Sequence, residues 1–402
     1  MRFIQNLSQL FIFLFSIHFL VSCQLIPTKP AYLEFDEGIR QLSNGLLTEL
    51  IKKVKPDLMV AVVNPFLDSD SGQVLQASFD IEALLINEAH KQFQFINISR
   101  LTSANLRNAQ YIINGVIKYQ GNNTTLAKKL YQVSASIVDF KTQTIVTNGT
   151  VWIASAQLNY QPMPSYEDNP MYIKGKRLKS ITKTVESPIG TQVDADYYKL
   201  TEINAQLVTA QSAYDNGNYK LAHQLFKQLI QQPEGQMIET YGGLYAASFK
   251  LGNYREAERH FTKMILIGVE NGNIPIKLLF KSNLTEFLKI PELQQQYALW
   301  LRQISLYFKN HSQHCVNIIG HTSRSGEDDY NKNLSKQRAN IIQDQMRQIF
   351  QDIIYRSKTI GKGWTETIVG TVPDSFENAI DRRVEFKIVD CDGTDDFSSH
   401  VN

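Results

Sequence analysis

The segment from Ile318 to Ala339 constrains the fold of this chain more than any other. An apolar pair leads through Gly320 into a run of polar residues, after which apolar residues recur at helical spacing. This order predicts a buried strand that ends at a glycine, a polar loop and an amphipathic helix. We expect the loop to bring four polar side chains to one strand end, namely Thr322, Ser323, Asn331 and Arg338.

Such a cluster suits a small zwitterionic ligand, because an arginine holds a carboxylate through two parallel hydrogen bonds while amides and hydroxyls orient the rest. The segment also closely resembles the peptidoglycan-binding segment of the OmpA C-terminal domain, G-H-T-D-x-x-G-x-x-x-Y-N-x-x-L-S-x-x-R-A. One fixed position differs, since Ser323 stands where the family has aspartate.

The resemblance implies a ligand, the diaminopimelate of the peptidoglycan stem peptide, whose ammonium the family's aspartate holds and whose carboxylate its arginine holds. By motif position, Arg338 takes the arginine role. The other positions that line the pocket or lie near it are Asn283, Thr322, Asn331, Arg382 and Arg383. Ser323 contributes no charge, which weakens binding by roughly 1–3 kcal/mol unless Glu327, Asp328 or Asp329 compensates. The alternative is an OmpA-like fold that has lost its ligand and acts as an interaction module.

The start of the chain predicts its compartment. The run from Leu10 to Val21 is mostly apolar but shorter than the roughly 20 residues of a membrane span, and it ends in Leu20-Val21-Ser22-Cys23. Residues 1–22 therefore read as a secretory signal peptide. The tetrapeptide resembles the bacterial lipobox, which implies a lipid-acylated, palmitate-bearing Cys23, a tether over 23–31 and, with Gln24 after the cysteine, the outer membrane facing the periplasm. An ordinary signal peptide cut nearby, or a short anchor, is the alternative.

Composition limits the classes of function. A chain of 402 residues, 43% hydrophobic and 20% charged, has room for two or three folded domains. A net charge of +2 gives no strong attraction to nucleic acid, so we predict no nucleic-acid partner. Cys315 and Cys391 form an even pair in an oxidising compartment, and they can bond if their strands are antiparallel neighbours.

Residues 32–155 predict a compact α/β domain, with helical spacing over 35–54 and 79–93 and short apolar or alternating strands elsewhere. Three of its segments resemble parts of the FlgO and CsgG-like domains of outer-membrane lipoproteins, namely Met59–Asp68, Tyr111–Gly115 and Val138–Thr142. That likeness implies assembly into rings in the flagellar or curli machinery. A generic α/β lipoprotein domain is the alternative.

Residues 156–198 carry four prolines and little periodicity, which predicts a linker. The basic run Lys174-Gly175-Lys176-Arg177 within it is interpreted as a solvated surface.

Residues 199–272 contain an internal repeat. Tyr214, Gly217, Asn218, Tyr219, Ala222 and Phe226 recur 35 positions later as Phe249, Gly252, Asn253, Tyr254, Ala257 and Phe261. The offset resembles the tetratricopeptide period of about 34 residues and predicts paired helices. Two repeats are too few for a free-standing solenoid, so they should lean on a neighbour or bind a partner. A plain pair of helical hairpins used as a spacer is the alternative.

Residues 275–392 predict an OmpA-like βαβαβ domain with a mixed sheet, beginning with a strand over Ile276–Phe280. Supporting matches are Phe280-x-Ser282-Asn283, Gly361-x-Gly363 and Arg382-Arg383-Val384-Glu385. Residues 393–402 are polar and predict a disordered tail. The whole chain is thus predicted to be a multidomain α/β protein with a helical repeat segment.

The sequence contains no set of residues with the spacing that is typical of a catalytic site. His311, His314 and His321 lack the spacing of zinc ligands, so neither a metal nor a cofactor is predicted. The sequence favours a non-enzymatic outer-membrane lipoprotein that anchors to peptidoglycan and scaffolds an envelope assembly, such as flagellar or secretion machinery. Its N-terminal domain and helical repeats would then bind envelope proteins. The alternative is an activator of cell-wall synthesis enzymes.

Overall fold

A computed structural model describes residues 31–53, 58–123, 128–156, 158–172, 175–288, 291–368 and 380–391. The described residues from Tyr32 onward belong to one compact unit. The predicted signal peptide, Cys23, most of the tether and the tail over 393–402 lie outside the described residues. Within the described part, no helix combines the length and apolar character needed to cross a membrane.

The N-terminal third alternates helices and strands, as its apolar spacing predicts. Its elements are β1 (Tyr32–Leu33), α1 (Phe35–Lys53), β2 (Met59–Val63), β3 (Leu67–Asp68), α2 (Gln76–Gln92), β4 (Ile96–Arg100), α3 (Ser103–Leu106), β5 (Tyr111–Asn123), β6 (Lys128–Asp139) and β7 (Thr144–Ser155). The described strands form one sheet in the order β1-β7-β6-β5-β2-β4, with β3 beside β5. Helices α1 and α2 cover one face, where Leu42 and Leu46 pack among Ile113 and Val133.

The segment over 156–198 is folded, so the prediction of a linker is wrong. It contains α4 (Pro164–Glu167) and α5 (Lys176–Glu186). Arg177, predicted to be solvated, is buried and donates a hydrogen bond of 2.9 Å to the Tyr166 hydroxyl. The prolines interrupt the helical spacing of apolar residues in the sequence, yet they do not prevent the segment from folding. Pro164, for example, occupies the first position of its helix, where proline is tolerated.

Two helical pairs follow, α6 (Ala195–Asp215) with α7 (Tyr219–Leu229) and α8 (Ile238–Lys250) with α9 (Tyr254–Glu270). Gly217 and Gly252 turn the chain between the helices of each pair with φ of 76° and 77°. The repeated apolar positions are fully buried, namely Ala222, Phe226, Ala257 and Phe261. The second pair leans on the C-terminal part, since the Phe261 ring stacks 6.1 Å from Trp300.

The C-terminal part contains β8 (Asn273–Ile274), α10 (Pro291–Asn310), β9 (His314–Gly320), α11 (Asp328–Arg347), β10 (Ser357–Gly361) and β11 (Val384–Asp390). Its described strands follow the order β10-β9-β11-β8. Strand β10 is parallel to β9, whereas β11 is antiparallel to both β9 and β8, so the sheet is mixed as predicted. A disulfide joins Cys315 and Cys391, whose Cα atoms are 5.0 Å apart.

The first strand of this part differs from the prediction over Ile276–Phe280. Strand β8 ends at Ile274, and Ile276 and Phe280 make only isolated bridges, to Met171 and Phe287. The residues after β8 bond instead to the segment that was predicted as a linker, since the Lys277 amide donates to the Pro170 carbonyl at 2.8 Å.

Candidate functional site

The site is built where β9 ends against α11. A Cβ atom on Gly320 would lie 1.9 Å from the carbonyl oxygen of Ser335 in α11, so only glycine permits this approach. The Ser335 hydroxyl in turn accepts a 2.9 Å hydrogen bond from the Gly363 amide, which fixes the loop after β10. Two loops thus leave the sheet side by side, and Thr322 donates its amide to the Gly363 carbonyl at 2.9 Å.

Arg338 lies beneath these loops and is completely buried. Its Nε and Nη2 donate to the Leu284 carbonyl at 3.1 and 2.9 Å, its Nη1 to His321 at 3.0 Å, and its Nη2 also to Lys281 at 2.9 Å. The expected guanidinium, free to hold a ligand carboxylate, is therefore not observed. A buried guanidinium must satisfy its five N–H groups, and the carbonyls of the strand-end loops accept them.

The two arginines before β11, Arg382 and Arg383, differ in their hydrogen bonds. Arg382 donates from Nε to the Phe280 carbonyl at 3.0 Å. Arg383 pairs its Nε with the Glu385 carboxylate at 2.7 Å and its Nη2 with the Glu366 carbonyl at 3.2 Å. Its buried Nη1 has no hydrogen-bond partner in the described part of the chain. Arg383 therefore keeps a donor that Arg338 has lost.

His321 and its two neighbours form the floor of the loop. The His321 ring is fully buried, and neither of its nitrogens has a hydrogen-bond partner among the described residues. Burial, reinforced by the positive charges of Arg383 and Lys362, lowers the pKa of His321 to about 2, so the ring is neutral. The buried Thr322 hydroxyl is also without a described partner, whereas the Ser323 hydroxyl lies 3.3 Å from that of Ser325.

The two asparagines have different surroundings. The Asn331 side chain donates to the carbonyls of Ser325 and Glu327 at 2.7 and 3.0 Å, so it holds the loop against the start of α11. Asn283 is exposed and has a φ of 56°, in the left-handed region that asparagine tolerates better than most residues. The predicted compensating carboxylates, Glu327, Asp328 and Asp329, are exposed around the helix start.

The N-terminal half lies beside this site. Burial raises the pKa of Tyr119 in β5 to about 12, while the charge of Arg324 lowers it and that of Asp381 raises it. Tyr172 is buried within electrostatic reach of Arg383 and Asp381. Apart from Asn283, every predicted pocket residue is at most 6% exposed. The site is therefore an interior cluster rather than an open cleft.

The three C-terminal histidines do not converge. His311 stacks on the Tyr307 ring at 4.2 Å, and His314 shares a 2.6 Å hydrogen bond with the Tyr307 hydroxyl. His321 lies beyond the opposite end of β9. A different group does meet, namely His223, Glu256 and His260, which the sequence did not single out. Its one readable signal is the four-residue spacing of Glu256 and His260, which places both on one helix face.

Residues 289–379 match the family described as OmpA family. The C-terminal part of this chain is an OmpA family domain. Among solved structures, the peptidoglycan-associated lipoprotein from Burkholderia pseudomallei is 18% identical over 28% of this chain and 87% of its own, with a TM-score of 0.23. The periplasmic domain of Helicobacter pylori MotB is 20% identical over 31% of this chain and 76% of its own, with a TM-score of 0.24.

No curated protein that was compared matches the chain. The OmpA domain match includes the whole Gly320–Arg338 region described above. The resemblance of residues 32–155 to FlgO and CsgG-like domains, and of the helical pairs to tetratricopeptide repeats, stays a prediction.

Proposed function

We propose that this protein is a non-enzymatic, periplasm-facing envelope protein whose OmpA domain binds peptidoglycan non-covalently. The observation that carries the proposal is a pair of buried polar groups that have no hydrogen-bond partner among the described residues, the Thr322 hydroxyl and Arg383 Nη1. Thr322 follows His321, whose amide donates to the Arg383 carbonyl at 2.9 Å. A buried polar group without a partner is costly, and a ligand carboxylate can accept a hydrogen bond from a hydroxyl or from a guanidinium.

The contacts support a revised division of roles. Arg383, with its unpaired Nη1, is proposed to meet the carboxylate of a diaminopimelate stem peptide, and Ser323 its ammonium. Arg338, Asn331 and Arg382 bond to loop carbonyls and are proposed to hold the pocket in shape. Because the cluster is buried, a stem peptide can reach it only if the residues that cover it move.

Replacing Thr322 with valine tests this site without removing any described hydrogen bond of the side chain. We expect purified protein to bind isolated cell-wall sacculi roughly 5–30 times more weakly, corresponding to about 1–2 kcal/mol, because a ligand hydrogen bond is lost. Replacing Ser323 with aspartate should have the opposite effect, since a carboxylate supplies the charge that a hydroxyl lacks. Sedimentation with sacculi over a range of protein concentrations measures both changes.

Thr147→Val is the matched control. Thr147 is also fully buried with an unpartnered hydroxyl, but it lies in β7 of the N-terminal sheet. Its replacement should leave sedimentation unchanged. Equal behaviour of Thr322→Val and Thr147→Val, together with binding by wild type, would move the ligand elsewhere. Sedimentation of Ser323→Asp alone would identify an OmpA fold that has lost its ligand.

We propose further that Cys23 carries the lipid that holds the protein at the outer membrane. Lipid at one end and peptidoglycan at the other would let the body between them scaffold an envelope assembly, with the N-terminal domain and helical pairs binding its proteins. Cys23→Ala should shift the protein from the membrane fraction to the soluble fraction, or leave it unprocessed. In-cell cross-linking should then recover fewer envelope partners. Unchanged fractionation with no acyl mass on Cys23 contradicts the anchor, and recovery of cell-wall synthases alone favours the activator.

A further inference from the structure

Three potential metal ligands meet between α7 and α9, the second helices of the two helical pairs. His223 projects from α7, while Glu256 and His260 lie one turn apart on α9. One ligand atom from each residue can be chosen so that all three lie within 4.8 Å of one another. The side chains are 15%, 23% and 15% exposed, so the group is largely desolvated.

The contacts within this group are short but are not hydrogen bonds. Nε2 of His223 lies 3.3 Å from one Glu256 oxygen, and Nε2 of His260 lies 3.7 Å from the other. Both Nε2 atoms are buried and have no hydrogen-bond partner within the described part of the chain. The carboxylate oxygens and the neutral imidazole nitrogens each carry a lone pair, so one cation among the three groups can accept a lone pair from each residue.

Burial lowers the pKa of His260, Glu256 opposes this, and the charges of His223 and Arg259 lower it further. The Tyr241 ring, 6.2 Å from that of His260, lies beside the group.

We propose that His223, Glu256 and His260 bind one Zn²⁺ ion. Two imidazoles and one carboxylate are a ligand set that zinc accepts, with a fourth position left for water or a partner's side chain. Zinc–ligand distances of about 2.0–2.2 Å in a tetrahedron require ligand atoms roughly 3.3 Å apart, which the contact between His223 Nε2 and one Glu256 oxygen already meets. The ion would join α7 to α9 and so tie the two helical pairs together.

Zinc binding to the purified protein tests the proposal. After removal of metals with a chelator, titration with zinc chloride should show one tight site per chain and raise the melting temperature. His223→Gln and His260→Gln should each weaken this site at least about 100-fold, beyond the typical loss from changing an outer-shell residue. His90→Gln, at an exposed position in α2, should bind as wild type does.

Two further measurements keep the result decisive. An X-ray absorption spectrum of zinc-loaded wild type, which needs no variant to fold, should show two imidazole ligands. A His311→Gln, His314→Gln double variant should retain the site. Loss of zinc from that double variant, a spectrum with fewer than two imidazoles, or unchanged binding by folded His223→Gln and His260→Gln would each overturn the assignment.

Discussion

Replacing Arg338 with alanine should lower the free energy of unfolding by roughly 3–5 kcal/mol, because a fully buried side chain is lost and three carbonyls, one of them buried, lose their donor. These carbonyls belong to Lys281, Leu284 and His321, so the change also releases the loop after β9 and the segment over 281–284. Sacculus binding should disappear with it. Denaturation by urea, followed by tryptophan fluorescence, measures the stability, and sedimentation measures the binding.

Arg324→Ala is the control, because Arg324 is an exposed arginine of the same loop. It should change stability by no more than about 0.5 kcal/mol. Arg338→Lys should fall between the two, since lysine keeps the charge but lacks the planar fork that reaches three carbonyls. If Arg338→Ala is as stable as wild type and loses only binding, Arg338 contacts the ligand, and the carbonyl network contributes little.

The sequence predicted the strand, loop and helix of the site, but not the carbonyl partners of its arginine. Apolar spacing and Gly320 were enough to place a strand, a loop and a helix, because those signals are local. Two of the three partners of Arg338 lie more than fifty residues earlier, at Lys281 and Leu284, and all three are backbone carbonyls. Carbonyls carry no signature in a sequence, so a motif alone cannot distinguish an arginine that binds a ligand from one that supports a loop.

The missed folding of residues 156–198 has the same cause. The Lys277 ammonium donates to the Tyr166 carbonyl, and burial lowers the pKa of Lys277 to about 7. A lysine within a predicted strand gives no hint of a partner more than a hundred residues away. Similarly, His223 meets His260 only because two helical pairs pack together. One hydrophobic core runs from Val116 of the N-terminal sheet through Phe226 to Val384 of β11. The chain is therefore less clearly divided into domains than the sequence predicted.

That continuity connects the stability of the site to the rest of the chain. Tyr172 and Tyr119, from the N-terminal half, lie within electrostatic reach of charges beside the Gly320 loop. A change that displaces α11 from β9 is therefore expected to disturb both the pocket and the surface that adjoins it. At Gly320 the backbone of β9 lies so near that of α11 that an added Cβ would be 1.9 Å from the Ser335 carbonyl oxygen, which makes this residue a sharp place to test the arrangement.

Gly320→Ala should lower the free energy of unfolding by roughly 2–4 kcal/mol, because the new methyl group would lie 1.9 Å from the Ser335 carbonyl oxygen. That oxygen belongs to the backbone of a helix, so relief requires α11 to shift rather than a side chain to rotate. The shift would separate Ser335 from the Gly363 amide and should weaken sacculus binding by at least about tenfold, as a misplacement near 1 Å can. Urea denaturation and sedimentation again measure the two effects.

Gly45→Ala is the matched substitution. Gly45 lies exposed inside α1, where an added Cβ meets no atom within 4 Å. Alanine is the better helix former, so this variant should gain about 0.5–1 kcal/mol and bind sacculi as wild type does. The two changes add the same methyl group, and their effects should have opposite signs. If both variants are as stable as wild type or more so, α11 does not rest on the end of β9, and the pocket must be built in another way.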